Sequence, residues 1–343
     1  MDARGRLPGP RLPHGGARSQ HAIVCRSGMT RSNSGSPKRR ITITGADGFV
    51  GRHLARAATA AGHHVIGIGH RPLADPTLGG SLDESFVADL REGWPDDALG
   101  DVVVHLAGRA AVGPSFDDPQ GYICDNSAMV TSLGEAILKR PREEWPRVVL
   151  ASTGAVYDAA GEATPRTEQS PIRHASPYVV SKLLVESQLL YYRERGMDCV
   201  IVRPFNHIGP GQAGGFLVPD LTAALAALPA DEPLLVGDLD TQRDYTDVRD
   251  VVDAYLLLAT APTTSEVIYN VASGRSRAGV ELLGYICEAL GRPVPELEID
   301  QRRIRATDAR VIVGSADRLR DEFGWEPSIP IRRSVEEFVA SRG

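Results

Sequence analysis

The amino-acid sequence predicts an α/β protein with a doubly wound parallel sheet and a smaller C-terminal α/β domain. Short β-branched runs alternate with segments long enough for helices as far as residue 204. A glycine-rich turn at residues 45–51 joins the first run to the first helical segment. The chain has 343 residues, more than one hydrophobic core usually supports, which indicates about two domains.

The apolar runs predict the elements in order. The first strand is predicted at residues 41–44, and the first helix runs over 50–61 and ends at Gly62. A second strand is predicted at 65–68. Four later runs are the remaining predicted strands: residues 86–88, 102–106, 148–150 and 199–202. Because helices separate these strands, the sheet should be parallel and covered on both faces.

The first 38 residues have a different composition. They are mostly Arg, Gly, Pro and Ser, with few hydrophobic residues, and cannot bury enough surface to offset the entropy of ordering. They predict a disordered leader. Two origins are open: an organelle transit peptide, which would need a clearer amphipathic helix, or a start site assigned too early, with Met29 as the true beginning. We favour the second.

Charge and cysteine usage exclude several classes of protein. The first 40 residues carry eight Arg and one Lys against one Asp, so the formal charge of −6 for the chain leaves −14 for residues 41–343. Such an acidic body argues against non-specific nucleic-acid binding. No uncharged apolar stretch approaches the length of about 18 residues that spans a membrane. The four cysteines are widely spaced, which predicts a reducing cytoplasm and no structural metal.

The glycine turn indicates a dinucleotide site. Residues 45–51 read G-A-D-G-F-V-G, a G-x-x-G-x-x-G spacing placed directly between a strand and a helix. Glycine permits a tight turn, close approach of the backbone to a pyrophosphate, and close packing of the helix, whose N-terminus faces the anion. The predicted cofactor-binding residues of this turn are Gly45, Asp47, Gly48, Phe49, Val50 and Gly51.

The end of the second predicted strand bears on the choice of cofactor. It runs into Gly69, His70 and Arg71, with no acid to bind a ribose 2′-hydroxyl. An arginine here accommodates a 2′-phosphate, so NADP(H) is favoured and NAD(H) is possible. The alternative is that Arg71 is an ordinary solvated loop residue.

A tyrosine and a lysine have the spacing of an acid/base pair. Tyr178 and Lys182 are four residues apart, on one face of a predicted helix. A nearby ammonium stabilises phenolate and should lower the tyrosine pKa. The chain has 35 Arg but three Lys, so an incidental lysine at this position is disfavoured. Upstream, Thr153 follows the strand predicted at 148–150, where its hydroxyl could bond a substrate oxygen.

These motifs together resemble one enzyme family. The glycine turn, Ser152-Thr153, Tyr178 with Lys182, and the run Arg-Pro-Phe-Asn at 203–206 are similar to the extended short-chain dehydrogenases/reductases that act on nucleotide sugars. The resemblance covers residues 39–338. It implies a Rossmann-type NAD(P)-binding domain at 39–204, with 244–274 returning to it, and a nucleotide-sugar-binding domain at 205–243 and 275–343.

The resemblance also implies roles for individual residues. Thr153, four residues before Tyr157, matches the catalytic hydroxyl, and Tyr178 matches the proton donor or acceptor. Lys182 matches the residue that lowers the tyrosine pKa and holds the nicotinamide ribose, and Asn126 matches the helix asparagine that supports the site. Further cofactor contacts are implied at Asp89, Leu90, Leu106, Ala107, Gly108, Ser152 and Pro204. At Gly108 the family more often has alanine.

Two small residues limit the reaction. Dehydratases of this family carry acidic residues directly after the catalytic threonine, where this chain has Gly154 and Ala155. Neither can move a proton, which argues against a 4,6-dehydratase. Motifs in the second half are similar to the family's GDP-6-deoxy-4-keto-mannose reductases. We therefore expect reduction of a nucleoside-diphosphate 4-keto-6-deoxyhexose at C4; alternatives are an NAD-dependent epimerase and, distantly, a non-catalytic NADP(H) sensor.

The same resemblance implies a substrate site and a partner. Diphosphate-binding residues are implied at Asn206, Arg243 and Arg305, and residues near the base at Phe216, Leu217 and Val218.

The predicted helix at 178–192 carries apolar residues around much of its circumference. Family members dimerise through this helix and the Asn126 helix, which implies a homodimer. The alternative is that the helix is buried within one subunit.

Overall fold

The computed structural model describes residues 37–72, 78, 80–158, 164–229, 232–303 and 309–342. The predicted leader lies outside the described residues except for positions 37 and 38, and Met29 lies outside them too. The described residues pack as one compact unit.

Strands and helices alternate along the first half of the described chain and become shorter in the second half. The strands are β1 (Arg40–Thr44), β2 (His64–Gly69), β3 (Glu84–Val87), β4 (Val102–His105), β5 (Arg147–Ala151), β6 (Cys199–Pro204), β7 (Asn206–Ile208), β8 (Leu234–Val236), β9 (Gln242–Asp247), β10 (Ile268–Val271), β11 (Ser276–Ala278), β12 (Leu297–Ile299) and β13 (Val311–Ile312). The helices are α1 (Phe49–Ala60), α2 (Pro119–Leu138), α3 (Pro177–Glu194), α4 (Leu217–Ala227), α5 (Val248–Thr260), α6 (Gly279–Ala289), α7 (Asp317–Phe323) and α8 (Ile331–Ala340).

Seven strands form the main sheet. Their order is β10-β6-β5-β4-β1-β2-β3, and every neighbouring pair is parallel. The strand order reverses beside β1, where Ile43 lies opposite Gly67 of β2 on one side and Val104 of β4 on the other. In open parallel sheets, ligands bind in the crevice outside the carboxyl ends of the strands at such a reversal. The predicted doubly wound sheet is confirmed.

Helices cover both faces of this sheet, as the alternating pattern predicted. On one face, Leu54 of α1 and Tyr255 of α5 share a core with β1 and β4. On the other face, Leu133 of α2 and Leu189 of α3 pack against β4, β5 and β6. Burial on both faces explains why the central strands β4, β5 and β6 contain continuous apolar runs.

A separate core lies in the second half of the chain. Val218 and Leu225 of α4, Leu283 of α6 and Phe338 of α8 are buried together with residues of β8. Three short strands pair in the order β11-β9-β13, and β7 pairs with β9. No helix of the described residues combines the length and apolar character needed to cross a membrane.

Candidate active site

The predicted dinucleotide turn is tightly folded. Gly45 has φ of 65°, a left-handed conformation that favours glycine, and its N–H donates to the Ile68 carbonyl at 2.8 Å. A Cβ at Gly51 would lie 2.1 Å from the Gly45 carbonyl oxygen, so α1 can approach the turn only with glycine there. Gly48 caps α1 without a side chain, and the first turn holds no acid. The helix N–H groups therefore suit a pyrophosphate, and the turn fits a dinucleotide cofactor.

The end of β4 is fixed against this turn. The Thr44 hydroxyl accepts hydrogen bonds from the N–H groups of Leu106 and Ala107, each at 3.0 Å, and lies 3.0 Å from His105 Nδ1. A Cβ at Gly45 would lie 3.2 Å from the Ala107 Cα. The structure thus brings together the two backbone segments that were predicted to line the cofactor phosphates.

Three of the predicted cofactor contacts, Arg71, Asp89 and Leu90, lie near the ends of the paired strands β2 and β3. Arg71 is exposed, and its Nε donates to His70 Nε2 at 2.8 Å. The Asp89 carboxylate accepts hydrogen bonds from Arg91, which lower the pKa of Asp89 to about 2. Arg91 also reaches Asp125 of α2 at 3.0 Å. Leu90 is buried among apolar residues of β2 and β3, so it belongs to the core beneath this region.

The predicted catalytic groups meet between α3 and the end of β5. The α3 helix begins just before Tyr178, and Ser176 caps it by accepting a hydrogen bond from the Val179 N–H at 3.2 Å. The Thr153 side chain lies next to the Tyr178 hydroxyl and acts to lower its pKa. Lys182 Nζ donates to the Ala151 carbonyl at 2.9 Å. Tyr178, Lys182 and Thr153 are all less than one-tenth exposed.

Burial controls the ionisation of the pair. It raises the pKa of Tyr178 to about 12, against the neighbouring Thr153 side chain, which favours the phenolate. It lowers the pKa of Lys182 to about 8, against the opposing charge of Glu186. The sequence predicts a lowered tyrosine pKa; the structure gives a raised one because desolvation outweighs the other influences. At neutral pH the pair is therefore a phenol beside an ammonium, which is the form of a proton donor.

Asn126 positions the catalytic helix. Its Nδ2 donates to Ser181 Oγ at 2.9 Å, and Ser181 in turn donates to the Tyr178 carbonyl at 2.8 Å. A Cβ at Gly108 would lie 3.1 Å from Asn126 Oδ1 and 3.8 Å from Lys182 Nζ. The departure from alanine at Gly108 therefore leaves space beside two functional side chains.

Comparison with known proteins decides the family. Residues 41–272 match the NAD dependent epimerase/dehydratase family. The chain belongs to this family. The resemblance to extended short-chain dehydrogenases/reductases is confirmed, and the protein is an NAD(P)-dependent enzyme of that type.

Three similar proteins show the range of activities within the family. The chain is 35% identical to a GDP-6-deoxy-D-mannose reductase of Pseudomonas aeruginosa, over 88% of this chain and 96% of the relative. It is 32% identical to a UDP-glucose 4-epimerase of Azospirillum brasilense, over 92% of this chain and 97% of the relative. The solved structure of RMD from Pseudomonas aeruginosa complexed with NADPH is similar with a TM-score of 0.72 and 32% identity. The match covers 89% of this chain and 98% of that chain.

The position directly after Thr153 has a structural reason to lack an acid. A Cβ at Gly154 would lie 2.8 Å from ring carbons of Phe205, so a carboxylate side chain has no room there. Ala155 is exposed and carries no titratable group. Neither of the two positions after Thr153 therefore supplies a carboxylate beside the Tyr178 phenol.

The predicted substrate residues lie beyond β6. Asn206 is exposed on β7, two residues after Pro204, the last residue of β6. Arg243 of β9 donates to the carbonyl of Ala309 at 2.9 Å. The predicted base-binding residues divide: Phe216 is 43% exposed at the start of α4, Leu217 is partly buried, and Val218 is buried in the second core. Arg305 lies outside the described residues.

Two residues beside the catalytic group, Ser181 and Glu186, were not predicted from the sequence. Ser181 connects Asn126 to the catalytic helix, and Glu186 forms a buried ion pair with Arg203. A signal for Glu186 existed, because it follows Lys182 by four residues and so lies on the same helix face. Its partner could not be recognised, since the sheet, not the spacing along the chain, brings Arg203 beside it.

Proposed function

We propose that this enzyme reduces the C4 ketone of a nucleoside-diphosphate 4-keto-6-deoxyhexose, with GDP-4-keto-6-deoxymannose as the candidate substrate. The product would be a 6-deoxysugar nucleotide such as GDP-rhamnose. The observation that carries the proposal is the buried Thr153, Tyr178 and Lys182 group, protonated for donation and followed by no acid at Gly154 or Ala155. The similarity to a GDP-6-deoxy-D-mannose reductase supports this substrate class.

The chain's own residues perform the proton transfer. When bound, the nicotinamide cofactor supplies the hydride. Tyr178 donates its proton to the alkoxide that forms at C4, and Thr153 shares a hydrogen bond with the same oxygen. The Lys182 ammonium stabilises the phenolate that is left behind. Because the pKa of Tyr178 is raised, the phenol holds its proton until the alkoxide is formed.

The organisation of the two parts follows from this proposal. Residues 39–204, with 244–274 returning to the sheet, would bind the cofactor, and 205–243 with 275–343 would bind the nucleotide sugar through Asn206, Arg243 and Arg305. Pairing of β10 with β6 supports the return of residues 244–274 to the cofactor-binding sheet.

The oligomeric state is part of the same proposal. Leu190 and Tyr191 of α3 are partly exposed, which supports a homodimer through α2 and α3. Measurement of the mass in solution tests it. A cytoplasmic location belongs to the same proposal.

The deciding experiment supplies GDP-4-keto-6-deoxymannose with NADPH, and separately with NADH, and follows cofactor oxidation. We expect oxidation of NADPH with formation of a 6-deoxysugar nucleotide. No oxidation of either cofactor would refute the reductase assignment. A matched reaction with GDP-mannose, which lacks the C4 ketone, controls for slow cofactor loss.

A UDP-glucose 4-epimerase activity is the second candidate, favoured by 32% identity over nearly the whole chain. An epimerase working through a transient ketone returns its hydride and consumes no cofactor. It would release tightly bound NAD when the purified protein is denatured, and it would interconvert UDP-glucose and UDP-galactose without added cofactor. These two observations together would replace the reductase assignment.

Arg71 should select NADPH over NADH. In Arg71→Ala we expect the dissociation constant for NADPH to rise at least about tenfold, because a charge-assisted contact to the 2′-phosphate is lost. The constant for NADH should stay within about twofold. Fluorescence titration of both cofactors measures the two constants. An equal change for both cofactors would show that Arg71 does not contact the 2′-phosphate.

The rate of reduction should fall as the pH rises through about 8. The ammonium form of Lys182 is the active form, and burial lowers the pKa of this residue to about 8, so deprotonation removes the charge that stabilises phenolate. Tyr178 ionises at higher pH and does not set this limit. The pH profile of kcat/KM measures it. In Lys182→Arg the alkaline decline should move above pH 10, because arginine keeps its charge.

A further inference from the structure

A buried ion pair joins Glu186 of α3, four residues after Lys182, to Arg203 of β6. The Glu186 carboxylate of α3 accepts hydrogen bonds from Arg203 Nε at 2.9 Å and from Arg203 Nη2 at 2.6 Å. It also accepts a short hydrogen bond from the Ser152 hydroxyl. Glu186 and Arg203 are 4% and 3% exposed. The carboxylate is therefore shielded from solvent and held in one orientation by Arg203 and Ser152.

Glu186 and Lys182 bond to consecutive residues of the same strand end. They lie four residues apart on one face of α3. Lys182 Nζ donates to the Ala151 carbonyl, and the next residue, Ser152, donates its hydroxyl to Glu186. This arrangement places a fixed negative charge close to the ammonium in a region where water does not screen it.

The pair is anchored on its other side as well. Arg203 Nη1 donates to the Tyr157 hydroxyl at 3.0 Å, and that hydroxyl donates to Asn270 Oδ1 at 2.7 Å. Replacing a buried ion pair by apolar residues is often neutral or stabilising. Stability alone therefore gives little reason for a charged pair at this position.

The other groups around Lys182 supply no negative charge. Burial, with a further contribution from Lys182, lowers the pKa of His105 on β4 to about 3, so its ring is neutral at neutral pH. Tyr178 on α3 is a neutral phenol, and Asn126 on α2 is uncharged. In the part of the chain that the structure describes, Glu186 is the carboxylate whose charge acts on Lys182.

We propose that Glu186 is a positioning residue of the active site: its buried carboxylate, one helical turn beyond Lys182, keeps that lysine in its ammonium form. Arg203 and Ser152 hold the carboxylate in place. The inference deepens the proposed function, because Tyr178 needs a charged Lys182 when it gives up its proton.

Lysine NMR tests the inference without any substrate. The chain has three lysines, Lys38, Lys139 and Lys182, so ε-carbon labelling gives three signals, and Lys182→Arg identifies the third. We expect Lys182 to titrate near pH 8 in the unaltered protein. In Glu186→Gln the midpoint should fall by at least about half a pH unit. An unchanged midpoint would overturn the proposal.

Two further variants keep the test decisive. Glu194→Gln changes an exposed glutamate of the same helix and should leave the Lys182 midpoint unchanged; an equal shift there would overturn the proposal. Glu186→Gln leaves the Arg203 charge buried and unpaired, which endangers folding. Glu186→Gln combined with Arg203→Gln removes both charges and keeps polar partners, and it should still lower the midpoint, by less than Glu186→Gln alone because the repelling Arg203 charge is gone as well.

The enzyme assay separates this inference from the proposed function. If the midpoint of Lys182 falls in Glu186→Gln and the alkaline limb of NADPH oxidation moves with it, both are supported. If the midpoint falls and the limb does not move, Glu186 acts on Lys182 and the proposed use of that charge in reduction is wrong. Failure of the unaltered enzyme to oxidise NADPH with the keto sugar refutes the function alone, since the titration needs no substrate.

Discussion

Replacing Tyr178 by phenylalanine should lower kcat for NADPH oxidation about 10³-fold, the range expected when a general acid is removed. In the proposed mechanism this hydroxyl, which lies next to Thr153, is the group that protonates the C4 oxygen. Phenylalanine keeps the ring and its packing, so folding and the dissociation constant for NADPH should change little. Stopped assays with the keto sugar measure the rate, and thermal unfolding measures stability.

Tyr192→Phe is the matched control. Tyr192 is also a buried tyrosine of α3, and its hydroxyl donates to Glu135 of α2 at 3.1 Å, away from Thr153. This variant should keep its rate within about twofold and lose about 1 kcal/mol of unfolding free energy with the hydrogen bond. If Tyr178→Phe retained more than a tenth of the rate, proton donation by another group would have to be assumed.

The main sheet was predictable because its signal is local. Each of the six predicted apolar runs overlaps a strand of the observed sheet, and the turn at Gly45 lies where the sequence places it. The short strands of the second half could not be placed in the same way. Strands β7 and β13 have three residues and two residues, too short for a periodic pattern.

The spacing of the catalytic residues along the chain could be predicted from the sequence. Their burial and their contacts with other elements could not. The spacing of four positions from Tyr178 to Lys182 is enough to place both residues on one helix face. The ionisation of Tyr178 depends on how deeply the phenol is buried, which the spacing does not contain. The Glu186 and Arg203 pair joins α3 to β6, two elements that meet only when the helix packs on the sheet. Interactions that depend on sheet order are the ones that sequence reasoning missed.

Gly51→Ala should have the largest effect on cofactor binding. The added Cβ would lie 2.1 Å from the Gly45 carbonyl oxygen and 2.8 Å from the Ala46 Cα, and both are backbone atoms that cannot rotate away. The helix N-terminus must therefore move from the turn. We expect the dissociation constant for NADPH to rise at least about 100-fold and the unfolding free energy to fall by about 3 kcal/mol, as for a severe overpacking change.

A glycine of another helix is the control for that substitution. A Cβ at Gly284, inside α6, meets no atom within 4 Å. Gly284→Ala should leave NADPH binding unchanged and raise the unfolding free energy by up to about 1 kcal/mol, because alanine is the better helix former. Opposite signs for the two stabilities would show that contact with the turn, not the loss of a glycine, is responsible. Unchanged NADPH binding in Gly51→Ala would mean that the helix N-terminus does not hold the pyrophosphate, and the cofactor site would have to be sought elsewhere along the sheet.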